Sequence, residues 1–182
     1  MRYFVAIDVE TTGLNPGEHA ICQFGCSVFT EEQILVTAAW DVYVSPTKIA
    51  GASKEALEIN GISEERMLKG MDFEAVLREF EKLYHTTAQE SEIWAAVMHN
   101  APFDVGFLRA SNAVRRDSLT NHLLRRVLDT VTMGFAWTGE LLSLEKLCER
   151  FLPEGELVTW AKHDAGADAH MTARLAQKLM SR

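Results

Sequence analysis

Three strand-like runs in direct succession, followed by alternating helix and strand patterns, restrict this chain to one broad architecture. "YFVAIDV" (3–9), "ICQFGCSVF" (21–29) and "ILVTAAWDVYV" (34–44) are rich in β-branched and aromatic residues, with Asn15-Pro16-Gly17 as punctuation. "SKEALEIN" then begins a short helix that Gly61 can stop. "DFEAVLREFEKL" (72–83) is a stronger helix, with Phe73, Val76, Leu77, Phe80 and Leu83 on one stripe. "IWAAVM" (93–98) returns to strand, Pro102 suits the first turn of a helix running through Phe107 and Val114, and "RVLDT" is a short fifth strand. Helices follow around 131–137, 143–151 and 165–180. The order predicts an α/β domain with a mixed five-stranded sheet flanked by helices on both faces.

At 182 residues and 47% hydrophobic, the chain can bury one sizeable core, so residues 1–182 are expected to form a single domain. Its 26 acidic and 18 basic residues leave a net charge of −8, which argues against a basic coat for non-specific duplex binding. It does not argue against a nucleic-acid enzyme, because divalent cations can reverse the field in an acidic cleft. Cys22, Cys26 and Cys148 are an odd number with no zinc-like quartet, and they suggest reduced thiols and a cytoplasmic protein. The N-terminal apolar run stops at Asp8, short of a signal peptide, and no later run reaches membrane-spanning length, so no membrane association is expected.

Asp8 and Glu10 end the first run one residue apart, so they project from the same face of the strand. In open α/β sheets the ligand crevice lies beyond the carboxyl ends of the strands, where these acids would stand. Two such carboxylates repel unless protonated or bridged by a cation. A polar strand end is the plainer reading of this pair alone. "HNAPFD" (99–104) offers a second acid, Asp104, roughly 100° around its helix from Phe103 and at the margin of the apolar stripe. Here too a plainer reading exists, since an acid in a first helical turn is favoured by the macrodipole. "HDAGAD" (163–168) puts Asp168 on the apolar face with Met171, Thr172, Leu175 and Leu179, where an ionised carboxylate needs a partner or a metal. His163 belongs on the loop entering that helix, free to lean over a cleft; a structural hydrogen bond is its plainer role. Taken together, four acids from three distant segments fall at strand ends or helix starts that one sheet edge could gather. Hard oxygen ligands favour Mg²⁺ or Mn²⁺ over zinc, and the histidine supplies a general base.

"DVETTGL", "HNAPFD" and "HDAGAD" resemble the three motifs of the DnaQ-like (DEDDh) 3′→5′ exonuclease family, closest in character to the epsilon-type proofreading domains of bacterial polymerase III. The resemblance spans Asp8 to Asp168, and "INGIS" (59–63), "LDT" (128–130) and "LEKLCERF" (144–151) are similar to its connecting segments. It implies an RNase H-like fold and two Mg²⁺ or Mn²⁺ ions. Asp8, Glu10 and Asp168 would hold the first ion; Asp8 and, through water, Asp104 would hold the second. His163 would deprotonate the attacking water, releasing the 3′-terminal nucleotide as a 5′-monophosphate. The family's other branch has a tyrosine four residues before the last aspartate; here that position is Asp164, which matches the histidine branch. The resemblance also implies a nucleotide pocket from Thr11, Thr12, Gly13 and Leu14, with Leu14 wedged against the last base and His99, Asn100 and Phe103 on the other side. By its residues alone, "TTGL" is a strand-ending turn. Two positions depart from the family pattern: Gln23 stands where an acid is frequent, and Gly166 replaces a bulkier apolar residue, leaving extra room or mobility beside His163.

Arg109, Arg115, Arg116, Arg125 and Arg126, with the single acid Asp117, form a locally basic stretch that either tracks the phosphates of an incoming strand or is a solvated face. The leading expectation is a 3′→5′ exonuclease on single-stranded DNA. An RNA-trimming enzyme of RNase T or oligoribonuclease type is the nearest rival, lowered by Thr11 where oligoribonucleases usually have Met. A third reading is a catalytically silent domain that binds a polymerase or nucleic acid; the intact acids and His163 count against it. A homodimer or a polymerase partner fits the family. The chain ends soon after its last helix, without room for a long polymerase-binding tail, which points to a standalone enzyme, although a trimmed chain would read the same.

Overall fold

A computed structural model describes residues 2–88, 93–111, 113–116 and 118–181. Five strands form one sheet in the order β3-β2-β1-β4-β5. β1 (Tyr3–Thr11) is central; it pairs antiparallel with β2 (Ile21–Phe29) and parallel with β4 (Ile93–Met98). β3 (Ile34–Asp41) and β5 (Val127–Asp129) lie at the edges. This is the mixed α/β sheet of the RNase H-like fold.

The alternation along β1 decides which helices cover which face. Val5, Ile7 and Val9 enter a core with Phe24, Val76, Phe80 and Phe107, under α4 (Phe73–Ala88) and α5 (Ala101–Ala110). Phe4 and Ala6 point the other way, onto Ala169, Ala173 and Ala176 of α10 (Ala165–Met180). That alanine stripe lets α10 lie close to the sheet. Asp8 and Glu10 continue the Phe4–Ala6 side of the strand, so they turn toward α10, the helix that carries Asp168.

Serines and aspartates start most of the helices by accepting a backbone N–H, the usual N-cap chemistry. Ser53 caps α2 (Lys54–Asn60), Ser63 caps α3 (Glu64–Lys69) and Ser118 caps α6 (Leu119–Leu123). Asp129 caps α7 (Thr130–Thr138), Ser143 caps α8 (Leu144–Phe151) and Asp164 caps α10. Two further short helices, α1 (Pro46–Ala50) and α9 (Glu154–Leu157), complete the set among the described residues.

Three expected boundaries move. The third strand stops at Asp41: the Val42 amide still bonds Cys22 of β2, but Tyr43 N turns away to the Met71 carbonyl. α4 runs on to Ala88, with Tyr84 and Ala88 extending its buried stripe. α5 ends at Ala110 rather than reaching Val114; the Ser111 hydroxyl bonds back to the Leu108 carbonyl at 2.7 Å and closes the helix there.

Candidate active site

β1 outruns its parallel neighbour. The β1–β4 ladder covers Tyr3–Ala6, after which β4 gives way to His99, Asn100 and α5. The next amide on that side, Val9 N, therefore lacks a strand partner, and the Asp104 carboxylate takes it: Oδ1 accepts from Val9 N at 3.0 Å. Asp104 is 3% exposed. Its place at the margin of the α5 stripe lets it reach the strand end from the opposite face of the sheet.

Two close approaches bring the start of α10 to the same strand end. Gly25 pairs with Asp8, and a Cβ there would lie 2.0 Å from the Ala165 carbonyl oxygen, so only glycine lets the helix seat at this point. A Cβ at Gly166 already would fall 2.9 Å from Ala39 Cβ, so this glycine serves tight helix–sheet packing rather than extra room or mobility beside His163. Gln23 completes the clamp. Its Oε1 accepts from Ala165 N (2.8 Å), and its Nε2 donates to Asp41 and Asp164 (3.1 and 3.3 Å). A neutral amide, standing where an acid was expected, thus ties β3 and the α10 cap together.

The result is a crowd of carboxylates. Single ligand atoms of Glu10, His163 and Asp168 lie within 4.8 Å of one another. Asp8 is close enough to feel both this trio and Asp104: burial first, then Asp104, Asp168, Glu10 and Asp164, hold its carboxyl well above the usual range. Burial, with Asp168 and Asp164, raises Glu10 to about 7. Burial raises Asp104 as well, against the Val9 N–H that favours its anion. Burial raises Asp168, opposed by two N–H donors: Trp160 Nε1 to Oδ1 at 2.6 Å and His163 N to Oδ2 at 3.0 Å. Neither donor carries charge, so nothing in the hydrogen-bond set offsets the crowding, and the carboxyls hold their protons to higher pH than usual. A divalent cation is the group that relieves such an arrangement.

His163 is exposed and left-handed (φ 63°), on the loop before α10 as the sequence places it. That backbone costs a non-glycine residue about 1–3 kcal/mol and has to be held by its surroundings; here the His163 N–H bond to Asp168 does so. Asn100 is also left-handed (φ 62°), and its amide and that of Ala101 are gripped by the two oxygens of Asp129 (both 3.1 Å). Sequence reasoning assigned no role to Asp129, Trp160 or Asp164. The signals were faint: an N-cap aspartate closing "LDT", and a tryptophan in the polar run "VTWAKHD".

The other expected residues follow Glu10 in the chain or lie at the start of α5. Thr11, Thr12 and Gly13 are buried in a turn closed by Thr12 N to Ala20 O (2.9 Å), Thr11 Oγ1 to Gly13 O (2.7 Å) and Ala20 N to Thr12 Oγ1 (3.0 Å). Leu14 is 80% exposed beyond them. His99 lies behind Asn100, its Nδ1 against Thr130 Oγ1 (2.9 Å), and burial lowers it to about 4, so it is neutral at pH 7. Phe103 is half-buried and packs on Phe107 with ring centroids 5.0 Å apart.

The arginines do not join the site. Arg109 is near the far end of α5, about 7–8 Å along the axis from Asp104. Arg125 and Arg126 precede β5, at the opposite end of the strand from Asp129, and the Arg126 carbonyl accepts from Ala96 N. Arg115 shares a groove with Glu74, Arg78 and Glu81, a mixed rather than basic surface. Asp117 lies outside the described residues.

A family model described as exonuclease (RNase T type) matches residues 5–176. DNA polymerase III subunit epsilon of Rickettsia typhi is 29% identical over 150 residues, covering 81% of this chain and 61% of that protein. Ribonuclease T of Vibrio parahaemolyticus is 36% identical over 182 residues, covering 95% and 83%. The chain thus spans under two thirds of the Rickettsia typhi protein. Among solved structures, E. coli Exonuclease I in complex with a dT13 oligonucleotide superposes with a TM-score of 0.75 at 17% identity, over all of this chain and 42% of that one. The nuclease domain of 3′hExo, a DEDDh family member bound to rAMP, gives 0.74 at 16%, over 98% and 91%.

Proposed function

Because the chain belongs to this exonuclease family, we propose that it is a divalent-metal-dependent 3′→5′ exonuclease removing 5′-mononucleotides from the 3′ end of single-stranded DNA. One observation carries the reading: Glu10, Asp168 and His163 converge, with Asp8 joining them to Asp104, at the end of the central strand. Among the described residues the donor set is carboxylate oxygen without a buried counter-cation, which fits Mg²⁺ or Mn²⁺. Asp8, Glu10 and Asp168 would hold one ion; Asp8 and, through water, Asp104 would hold a second. When bound, such a pair stabilises the attacking and leaving oxygens of an in-line displacement.

The chain's own residues do the rest. His163 accepts a proton from the water whose oxygen attacks phosphorus; the bond to the departing 3′ oxygen breaks, and the terminal nucleotide leaves with its 5′ phosphate. The exposed loop gives the imidazole access from solvent. Thr11, Thr12, Gly13 and Leu14 would seat the terminal nucleotide, with Leu14 against its base and His99, Asn100 and Phe103 opposite. Neutral His99 adds no charge there, so recognition falls to shape and stacking. Residues 1–182 would act as one exonuclease domain on a single-stranded substrate, alone, as a homodimer or with a polymerase, as the name of the Rickettsia relatives suggests.

An RNA-trimming activity is the second reading, favoured by the 36% identity to a ribonuclease T over nearly the whole chain. Matched 3′-labelled DNA and RNA oligonucleotides, digested with Mg²⁺ or Mn²⁺, decide between the two. DNA is expected to be trimmed faster, and Asp8→Ala to lose activity at least about 100-fold, the scale of removing an electrostatic catalyst. Equal activity in Asp8→Ala would end the metal assignment; faster RNA trimming would transfer the reading to RNA.

A further inference from the structure

We propose that Trp160 is a positioning residue that fixes the Asp168 carboxylate for metal and, through it, the His163 loop. The inference rests on the exonuclease reading and extends it to a residue that none of the three motifs contains. Asp168 is tethered at both oxygens by the segment leading into its own helix. Trp160 Nε1 donates to Oδ1 at 2.6 Å from eight residues upstream, and His163 N donates to Oδ2 at 3.0 Å from five.

An indole N–H can only donate, so the direction of the first bond has no tautomeric ambiguity. Its neutrality also matters. A lysine or arginine in this place would fix the carboxylate but compete with a cation for its charge. The indole orients Asp168 and leaves the charge for the metal, the ordinary job of an outer-sphere partner. With the rotamer set, Oδ2 remains in reach of His163 N, the bond that holds His163 at φ 63°. One N–H therefore fastens both a ligand and the base.

The ring has both a packing role and a polar one. Trp160 is half-buried, with Lys162 Nζ 5.6 Å from the ring centroid. It also walls a cavity of about 330 Å³ with Thr37, Glu156, Ala167, His170 and Met171. The ring packs at the edge of the Leu147, Met171 and Leu175 cluster, and its polar edge is turned to Asp168.

Trp160→Phe removes the donor and keeps an aromatic face; Trp160→His restores a ring N–H. The readout is Mn²⁺ affinity of the whole chain, from free Mn²⁺ in electron paramagnetic resonance. Trp160→Phe is expected to bind Mn²⁺ about 10-fold or more weakly, with its metal-free melting temperature close to wild type, and Trp160→His to recover part of the loss. In wild type labelled at the indole nitrogens, the Trp160 resonance, assigned by its absence in Trp160→Phe or Trp160→His, should move on adding Mg²⁺.

Unchanged Mn²⁺ affinity in Trp160→Phe overturns the proposal, as does a His variant no better than Phe. Were Trp160→Phe not to fold, the wild-type indole resonance decides: unmoved at saturating Mg²⁺, it overturns the role. A wild type that binds no Mn²⁺ would instead remove the exonuclease reading beneath it. Tight wild-type binding with a silent Trp160 would sink the positioning role alone.

Discussion

The two ends of the carboxylate cluster are held in opposite ways. Asp104 is tied into the core by Val9 N, and Asp8 sits in mid-strand opposite Gly25. His163 is exposed on a loop, in a backbone conformation that its neighbours must enforce. The ligand end is prebuilt and carries the electrostatic cost of crowded buried acids. The base end is held by two hydrogen bonds to Asp168, from Trp160 Nε1 and His163 N. A site divided in this way keeps its metal ligands fixed while the group that must meet both water and substrate can adjust.

Removing the base should break the comparison most sharply. His163→Ala is expected to lower turnover about 10²–10⁴-fold, the usual scale of a general base. Because the side chain is exposed, the metal-free melting temperature should change little, and the fixed carboxylates should still bind Mn²⁺. Kinetics beside a thermal melt and a Mn²⁺ titration measure all three. Early melting of the variant would mean that the loop is structural and that the two ends are not independent.

The ligand end predicts a pH dependence of stability. Glu10 titrates near 7 in the folded protein against a reference of 4.5, and Asp8, Asp104 and Asp168 are raised as well. Between those values the folded state binds more protons than the unfolded state, so stability falls as pH rises. The contribution is fully present below about pH 4.5 and lost through pH 7. In chelator, the melting temperature should drop by roughly 5–10 °C between pH 5 and 8. Saturating Mg²⁺ or Mn²⁺ should cancel most of that drop, since it binds the ionised cluster. Asp8→Asn should flatten the metal-free curve. A flat wild-type curve in chelator would show that the acids are not in conflict.

The same division explains what the sequence could reveal. β1, β2, α4 and α10 were legible because each buries a long periodic stripe, and Asp168 stood out by lying on one. Asp8 and Glu10 were legible for the same reason, by ending an apolar strand. The short helices α1, α3, α6 and α9 carry too few residues for periodicity to show, and their starts depend on single capping groups. The roles of Gln23 and Asp129 escaped because they are contacts between residues distant in the chain. Trp160 alone lies near its target, but nothing in "VTWAKHD" says that the indole turns to a carboxylate one helix turn beyond the loop. The glycine at 166 was misread for a related reason: its meaning lies in Ala39, on another strand.

The arginine stretch gives the smallest expected effect and marks the limit of reading charge along a chain. Five arginines between 109 and 126, neighbours in sequence, could be read as a phosphate track or as a solvated face. In space Arg109 lies near the far end of α5, Arg125 and Arg126 precede β5, and Arg115 shares a groove with Glu74, Arg78 and Glu81. Two arginines that each neutralised a phosphate of a single strand would change the slope of log affinity against log salt by about 1.4 on removal. Arg115→Ala/Arg116→Ala is therefore expected to keep both oligonucleotide affinity and that slope within about twofold and 0.5 of wild type, measured by fluorescence anisotropy across a salt series. A slope change above 1 would restore the track and extend the substrate path along α5, far beyond the strand end.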